Sequence, residues 1–282
     1  VIFGLMAALG FGLADFEGAL AGRRIGSLWT VMVGQTLSAV VATGILLWSG
    51  RSLAVLGPVM GLVALNGICA AVAYQGHYHA LELGPVAVVS PIGASYAVVG
   101  VALAIAFLDE RPGPVAIGGM LVTVIGVMLV STDLGQFRAG LRGVAPGVPW
   151  AVVSAFTFGV AGFLLGYLSQ RGGWIVGLWA SRVAQVAFYV PLAFMARSQL
   201  PRLRDRRGLA IAIAAALADV VGVIGLSVGA DRGFVSVTLA ASAIFPLVAV
   251  ALSLMILRER LVLNQHAGIV LVVAGLLMLG LG

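Results

Sequence analysis

GPVAVVSPIGASYAVVGVALAIAFLDERPGPVAIGGMLVTVIG, residues 84–126, and GFVSVTLAASAIFPLVAVALSLMILRERLVLNQHAGIVLVVAG, residues 233–275, are two versions of one segment. A shift of 149 residues aligns them without a gap. It lays Gly84 on Gly233, Val86 on Val235, Val88 on Val237 and Ala102-Leu103 on Ala251-Leu252. Leu108, Glu110 and Arg111 fall on Leu257, Glu259 and Arg260, and Gly119 and Gly126 on Gly268 and Gly275. Close to the same shift, Phe11-Gly12 meets Phe158-Gly159, Leu28-Trp29 meets Leu178-Trp179, and Gln35 meets Gln185. The chain is therefore two copies of one unit.

The composition says where such a unit lives. Of 282 residues, 61% are hydrophobic and 9% charged, against roughly a quarter charged in a soluble globular domain. That excludes a soluble fold, a disordered tail and a nucleic-acid-binding domain, because no stretch joins a dense basic patch to aromatics. A bilayer-spanning helix needs about 20 predominantly apolar residues, and ten stretches qualify: 1–21, 28–49, 58–81, 85–108, 113–131, 146–168, 174–196, 208–230, 234–257 and 264–281. Turn and charge clusters such as Gly22-Arg23-Arg24, Arg111-Pro112-Gly113 and Asp231-Arg232-Gly233 separate them. Arg23 and Arg24 follow the first apolar stretch rather than precede it, so no cleaved signal peptide is expected there. The expected fold is all-α and polytopic: ten transmembrane helices as two five-helix repeats, 1–131 and 146–282, joined by a connector at 132–145. Five is odd, so the second copy lies upside down relative to the first. Inverted-topology repeats are typical of secondary transporters, which bind substrate near the midplane between the halves.

The stretch Tyr78-His79-Ala80-Leu81, then Gly84-Pro85-Val86-Ala87-Val88-Val89-Ser90-Pro91, then Leu108-Asp109-Glu110-Arg111 with Gly119 and Gly126, resembles the EamA repeat of the drug/metabolite transporter superfamily. The second copy repeats the ending as Leu257-Arg258-Glu259-Arg260 with Gly268 and Gly275. The opening Ala14-Asp15-Phe16-Glu17-Gly18 with Arg23-Arg24 resembles one bacterial branch of that family. The resemblance covers essentially the whole chain. It implies a multi-pass protein of the bacterial inner membrane that exports a small organic metabolite or drug-like solute, as a monomer or homodimer.

Chemistry is confined to a few polar positions. The single Cys69 forbids an intrachain disulfide, and the absence of Lys removes a P-loop lysine. No nucleotide site, metal or other cofactor is expected. Ionisable groups deep in a bilayer cost several kcal/mol and are functional by default. Asp15 lies about 12 Å before Arg23 along a helix, on a face of Gly12, Gly18, Ala19 and Gly22, and Gly162 stands in its place in the second copy. Glu17 points about 200° away, within reach of Arg24. Asp219 and Arg182 sit in adjacent spans, either as a buried structural pair or as cavity groups. Arg182, Gln185 and Tyr189 form a polar line that must face a cavity or another helix. Span 3 ends in Tyr74, Gln75, His77, Tyr78, His79 and Glu82, with Tyr74 and His77 expected to line a cavity beside Asn66. His77 and His79 are about 200° apart and cannot share one metal. Pro91, Pro191 and Pro246 are expected to kink spans 4, 7 and 9. The repeated Glu-Arg pairs read as interfacial ion pairs capping helix ends, and the repeated glycines as close contacts of helices 5 and 10.

The expected partners are a small-molecule substrate and the lipid bilayer, with coupling by proton or by exchange, and no nucleic acid. An intramembrane enzyme, and a channel or non-transporting scaffold, are the rival readings. Connectors 1–2, 3–4, 5–6, 7–8 and 9–10 carry eleven Arg and the other four connectors carry four. Arg bias places the richer side in the cytoplasm and both termini outside, whereas the resemblance implies cytoplasmic termini. In a Cys69→Ala background, a single cysteine at Ser198 should be protected from an impermeant thiol reagent in intact cells and one at Ser52 labelled. The reverse labelling would place the termini inside.

Overall fold

A computed structural model of the chain describes residues 2–108, 113–131, 144–195, 204–259 and 261–281. The first repeat comprises α1 (Ile2–Ile25), α2 (Ser27–Ser49), a 3-10 turn (Ala54–Val59) leading into α3 (Met60–Leu83), α4 (Val86–Ala94), α5 (Tyr96–Leu108) and α6 (Pro114–Ser131). The second comprises α7 (Val148–Gly172), α8 (Trp174–Met195), α9 (Arg206–Arg232), α10 (Val235–Ser242), α11 (Pro246–Leu252) running into a π-turn (Ser253–Leu257), and α12 (Leu263–Leu281). Among the described residues, 8 helical stretches are long and apolar enough to cross a membrane, and Ile117–Gly126 and Leu263–Met278 are shorter apolar helices. Their outer faces expose Leu47, Trp48, Phe107, Phe194, Met255 and Leu263, as a lipid-facing surface requires.

Spans 4 and 9 are each broken near the middle, at equivalent places. The break at Ser95 falls four residues beyond Pro91, which sits inside α4. There the Ser95 hydroxyl donates to the Ile92 carbonyl at 2.7 Å. The second break ends at Pro246, the first residue of α11, where proline's missing N–H costs nothing. At Pro191, by contrast, α8 runs through the proline to Met195 without a break.

Glycine holds the two halves together. A Cβ on Gly12 would lie 2.6 Å from the Phe245 carbonyl oxygen and 2.6 Å from Val248 Cβ. One on Gly159 would meet Tyr96 O at 2.7 Å and Val99 Cβ. Under the repeat shift these are the same contact made twice. The repeated glycines of spans 5 and 10 behave likewise. A Cβ on Gly126 would lie 2.9 Å from Gly268 O, and one on Gly275 2.7 Å from Gly119 O, so α6 and α12 pack on each other. A pseudo-two-fold axis thus runs through the molecule.

Side-chain contacts group the connectors at two ends. Arg24 meets Asp205 at 3.1 Å, and Arg23 donates to Gly84 O at 3.0 Å, so connectors 1–2, 3–4 and 7–8 share one end. Arg24 therefore pairs with Asp205 rather than Glu17, one of whose buried carboxylate oxygens has no hydrogen-bond partner. Asp205 also caps α9. The Gly208 N–H, then the Arg24 guanidinium, hold its carboxyl below the usual carboxylate range. At the opposite end Arg232 lies 5.3 Å over the Phe3 ring.

Glu259 does not cap its own helix. It reaches across the repeats and accepts the Val86 and Ala87 N–H groups at 3.0 and 2.9 Å, satisfying the amino terminus of α4. Among the described residues, Arg23 forms an ion pair with Glu259 at 3.6 Å. Glu110, Arg111 and Arg260 lie outside the described residues, as do Arg138, Arg142, Arg197 and Arg202. Glu259→Ala strips two helix-end donors of their acceptor and is expected to destabilise the protein by about 1–2 kcal/mol. Glu259→Gln, which keeps an acceptor oxygen, should cost less. Thermal unfolding in detergent would rank the two.

Candidate functional site

The helices enclose a cavity with about 730 Å³ of empty space, part of it open to solvent. Its walls come in pairs related by the repeat: Phe11 with Phe158, Ala14 with Ala161, Asp15 with Gly162, and Tyr96 with Phe245. Carrying the 149-residue shift back along the chain adds Ala70 with Asp219, Tyr74 with Val223 and His77 with Leu226. The cavity therefore straddles the pseudo-two-fold axis. Its shape is nearly symmetric, but its chemistry is not.

One polar cluster joins α1, α3 and α4. His77 Nε2 lies 2.8 Å from Asp15 Oδ1, and the Ser90 hydroxyl donates to Asp15 Oδ2 at 2.6 Å. An ionised carboxylate only accepts, so Nε2 carries the hydrogen in that state. Asp15 and His77 are 5% and 3% exposed, and His77 Nδ1 has no hydrogen-bond partner. Two glycines make room for these rings. A Cβ on Gly93 would lie 2.6 Å from His77 Cε1, and one on Gly18 2.4 Å from Tyr78 Cε1. In the second repeat the equivalents of Asp15, His77 and Ser90 are Gly162, Leu226 and Leu239. There Leu239 packs against Gly162, 2.9 Å from where a Cβ would sit.

The second cluster is built on Arg182. Its Nη1 donates to Gln35 Oε1 and Gln185 Oε1, and its Nη2 donates to the Tyr74 hydroxyl at 3.0 Å. The Tyr74 hydroxyl in turn donates to Asp219 Oδ1 at 2.7 Å. Asp219 Oδ2 stands 3.5 Å from Arg182 Nη2, an ion pair without a hydrogen bond. Arg182 and Asp219 thus meet both expectations: they pair, and both line the cavity.

Asn66, Gln185 and Tyr189 do not line it. Asn66 Nδ2 donates to Ala161 O at 2.8 Å, Gln185 Nε2 to Ala70 O at 3.4 Å, and the Tyr189 hydroxyl to Ala71 O at 2.7 Å. These side chains fasten α3 to α7 and α8 through buried backbone carbonyls, although Asn66 Oδ1 itself is left without a hydrogen-bond partner. The polar end of α3 divides by helical periodicity. Tyr74, His77 and Tyr78 face the cavity, while Gln75, His79 and Glu82 face a separate pocket with Ser27, Trp29 and Trp150.

Ser90, Gly93, Tyr96, Phe158 and Gln35 were not readable as site residues. Serine in an apolar run and aromatic residues in a membrane helix are too common to stand out, and Gln35 showed only its repeat partner, Gln185.

Removing one partner of a buried ion pair leaves the other charge uncompensated. Asp219→Ala should cost about 3–5 kcal/mol, and Arg182→Met with Asp219→Ala should recover much of that loss. Chemical denaturation of the single and double variants measures the coupling, and a double variant no more stable than either single would contradict it.

The EamA-like transporter family model matches this chain twice, over residues 1–132 and 145–281. A stretch of 79 residues is 35% identical to an uncharacterized protein of Methanocaldococcus jannaschii, covering 28% of this chain and 58% of that protein. A solved structure described as "Crystal structure of protein" superposes with a TM-score of 0.68 at 17% identity, over 99% of this chain and 96% of that one. That likeness concerns the fold alone. Two matches that together take in nearly every residue, on an all-α architecture with 8 membrane-length apolar stretches among the described residues, settle the identity: the chain is a multi-pass membrane protein belonging to the EamA-like transporter family.

Proposed function

We propose that this protein is a secondary carrier that exports a small organic metabolite or drug-like solute by alternating access through the axial cavity. The observation that carries the reading is the position of that cavity on the pseudo-two-fold axis between inverted repeats, where rocking of one half against the other exposes a fixed site to either side. The broken helices α4–α5 and α10–α11 border it, joined by a hydrogen bond between the Tyr96 and Ser242 hydroxyls at 2.5 Å. The sequence holds no P-loop, so the driving force is a proton, a counter-solute or the solute's own gradient.

The arrangement of the polar cluster supports the carrier reading over the enzyme one. Ser90, His77 and Asp15 are together, but Asp15 is in the middle, bonded to both of the others. In a Ser–His–Asp triad the serine donates to the imidazole, whereas here Ser90 donates to the carboxylate.

Purified protein in proteoliposomes should show saturable counterflow of a loaded solute, which a channel does not. Asp15→Asn keeps the size of the side chain and removes its charge. We expect that variant to fold, by size-exclusion profile, and to lose uphill transport by more than about tenfold. Wild-type transport by Asp15→Asn with unchanged pH dependence would remove Asp15 from the mechanism.

A further inference from the structure

The cavity holds two buried carboxylates, Asp15 and Asp219, against one fixed cation, Arg182. Arg182 is committed to Asp219, Tyr74, Gln35 and Gln185. That leaves Asp15 with Ser90 and with an imidazole that is positive only when it carries a second proton. Among the described residues, no other charged side chain lines the cavity. The helix α3 brings Tyr74 and Tyr78, α5 Tyr96, α8 Arg182 and α9 Asp219, while the lining from α1 beyond Asp15, from α4 and α7, and from Phe245 in the break before α11, is uncharged. With His77 neutral the site is one positive charge short, and an uncompensated charge in a dry interior is strongly disfavoured.

We propose that the missing charge is supplied alternately by a proton on the Asp15–His77 pair and by the solute, so that the solute is a monovalent organic cation with an aromatic or apolar body. This rests on the carrier reading above. Either cation brings the site to neutrality and both together overshoot it, so each displaces the other: a bound amine sends one proton from the pair to solvent, and protonation of the pair releases the amine. The walls fit such a body. Phe11, Tyr78, Tyr96, Phe158 and Phe245 surround the space, and aromatic faces attract cations. His77 Nδ1 and Asp219 Oδ2 are buried with no hydrogen-bond partner and can accept ammonium hydrogens. An anion would find a guanidinium with three Nη hydrogens already donated, to Gln35, Gln185 and Tyr74, and with Asp219 Oδ2 standing 3.5 Å away.

Three probes on one phenethyl frame separate charge from shape: phenethylamine, 2-phenylethanol and phenylacetate. Each is titrated into the purified full chain in detergent, at about pH 8.5 and about pH 5.5, with a pH indicator in weak buffer counting protons. The amine is expected to bind at least about tenfold more tightly than the alcohol or the acid at the higher pH. Its affinity should weaken by up to about tenfold per pH unit once the pair is protonated, with about one proton released per amine bound at the lower pH. Asp15→Asn should lose both the preference and the proton release. If that variant does not fold, the wild-type proton count decides alone. Preference for phenylacetate, amine binding without proton release, or failure to bind the amine by a protein that shows counterflow of another solute would each overturn the cation assignment and leave the carrier reading standing. Absence of counterflow for every solute would overturn the carrier reading, and this assignment with it.

Discussion

Helices in a bilayer gain little by burying apolar surface against one another, because lipid tails offer the same environment. What holds this bundle is close approach of backbones, and that approach needs glycine. Gly12 lets α1 reach the backbone at Phe245, and Gly159 lets α7 reach the backbone at Tyr96. Both contacts land at the breaks in spans 4 and 9. Gly119, Gly126, Gly268 and Gly275 bring α6 and α12 together in the same reciprocal way. Adding a methyl group at any of these contacts would push two helices apart and distort the axis on which the cavity lies.

That near-symmetric frame carries an asymmetric set of side chains. Three elements of the first repeat, α1, α3 and α4, place His77 and Ser90 on the two carboxylate oxygens of Asp15, and the second repeat answers with Gly162, Leu226 and Leu239. Arg182 and Asp219 belong to the second repeat alone. One end of the cavity is therefore polar and hydrogen-bonded, and its symmetry-related end is apolar. A carrier of this architecture needs two outward shapes of similar energy but only one binding site. Symmetric backbone contacts supply the first, and unequal side chains supply the second.

The two polar clusters also differ in what they leave free. Around Arg182, hydrogen bonds to Gln35, Gln185 and Tyr74, and from Tyr74 to Asp219, tie five side chains together. A network with that many mutual bonds positions its members firmly. The Asp15 cluster is open: His77 keeps one nitrogen without a partner, and the charge on Asp15 has no permanent counterpart. A group that must change its state during a cycle belongs in the second kind of cluster.

Ten apolar stretches, their turn residues and the 149-residue self-similarity were enough to establish a polytopic chain of two inverted repeats, because span length and hydropathy follow from the bilayer itself. The same self-similarity made Asp15 conspicuous, since its counterpart is Gly162. Helical periodicity likewise separated His77 from His79, which face different pockets. It could say that Arg182, Gln185 and Tyr189 share a face, but not which neighbour that face meets. Only the packing of α8 against α3 decided that Arg182 borders the cavity while Gln185 and Tyr189 bond to the α3 backbone. Glu259 is the sharper case: its motif lies at the end of span 9, yet the donors it satisfies begin α4 and its cation is on α1. Sequence spacing fixes directions relative to a helix's own axis. The rotation of that axis, and the identity of the helix it faces, depend on contacts between residues more than a hundred positions apart.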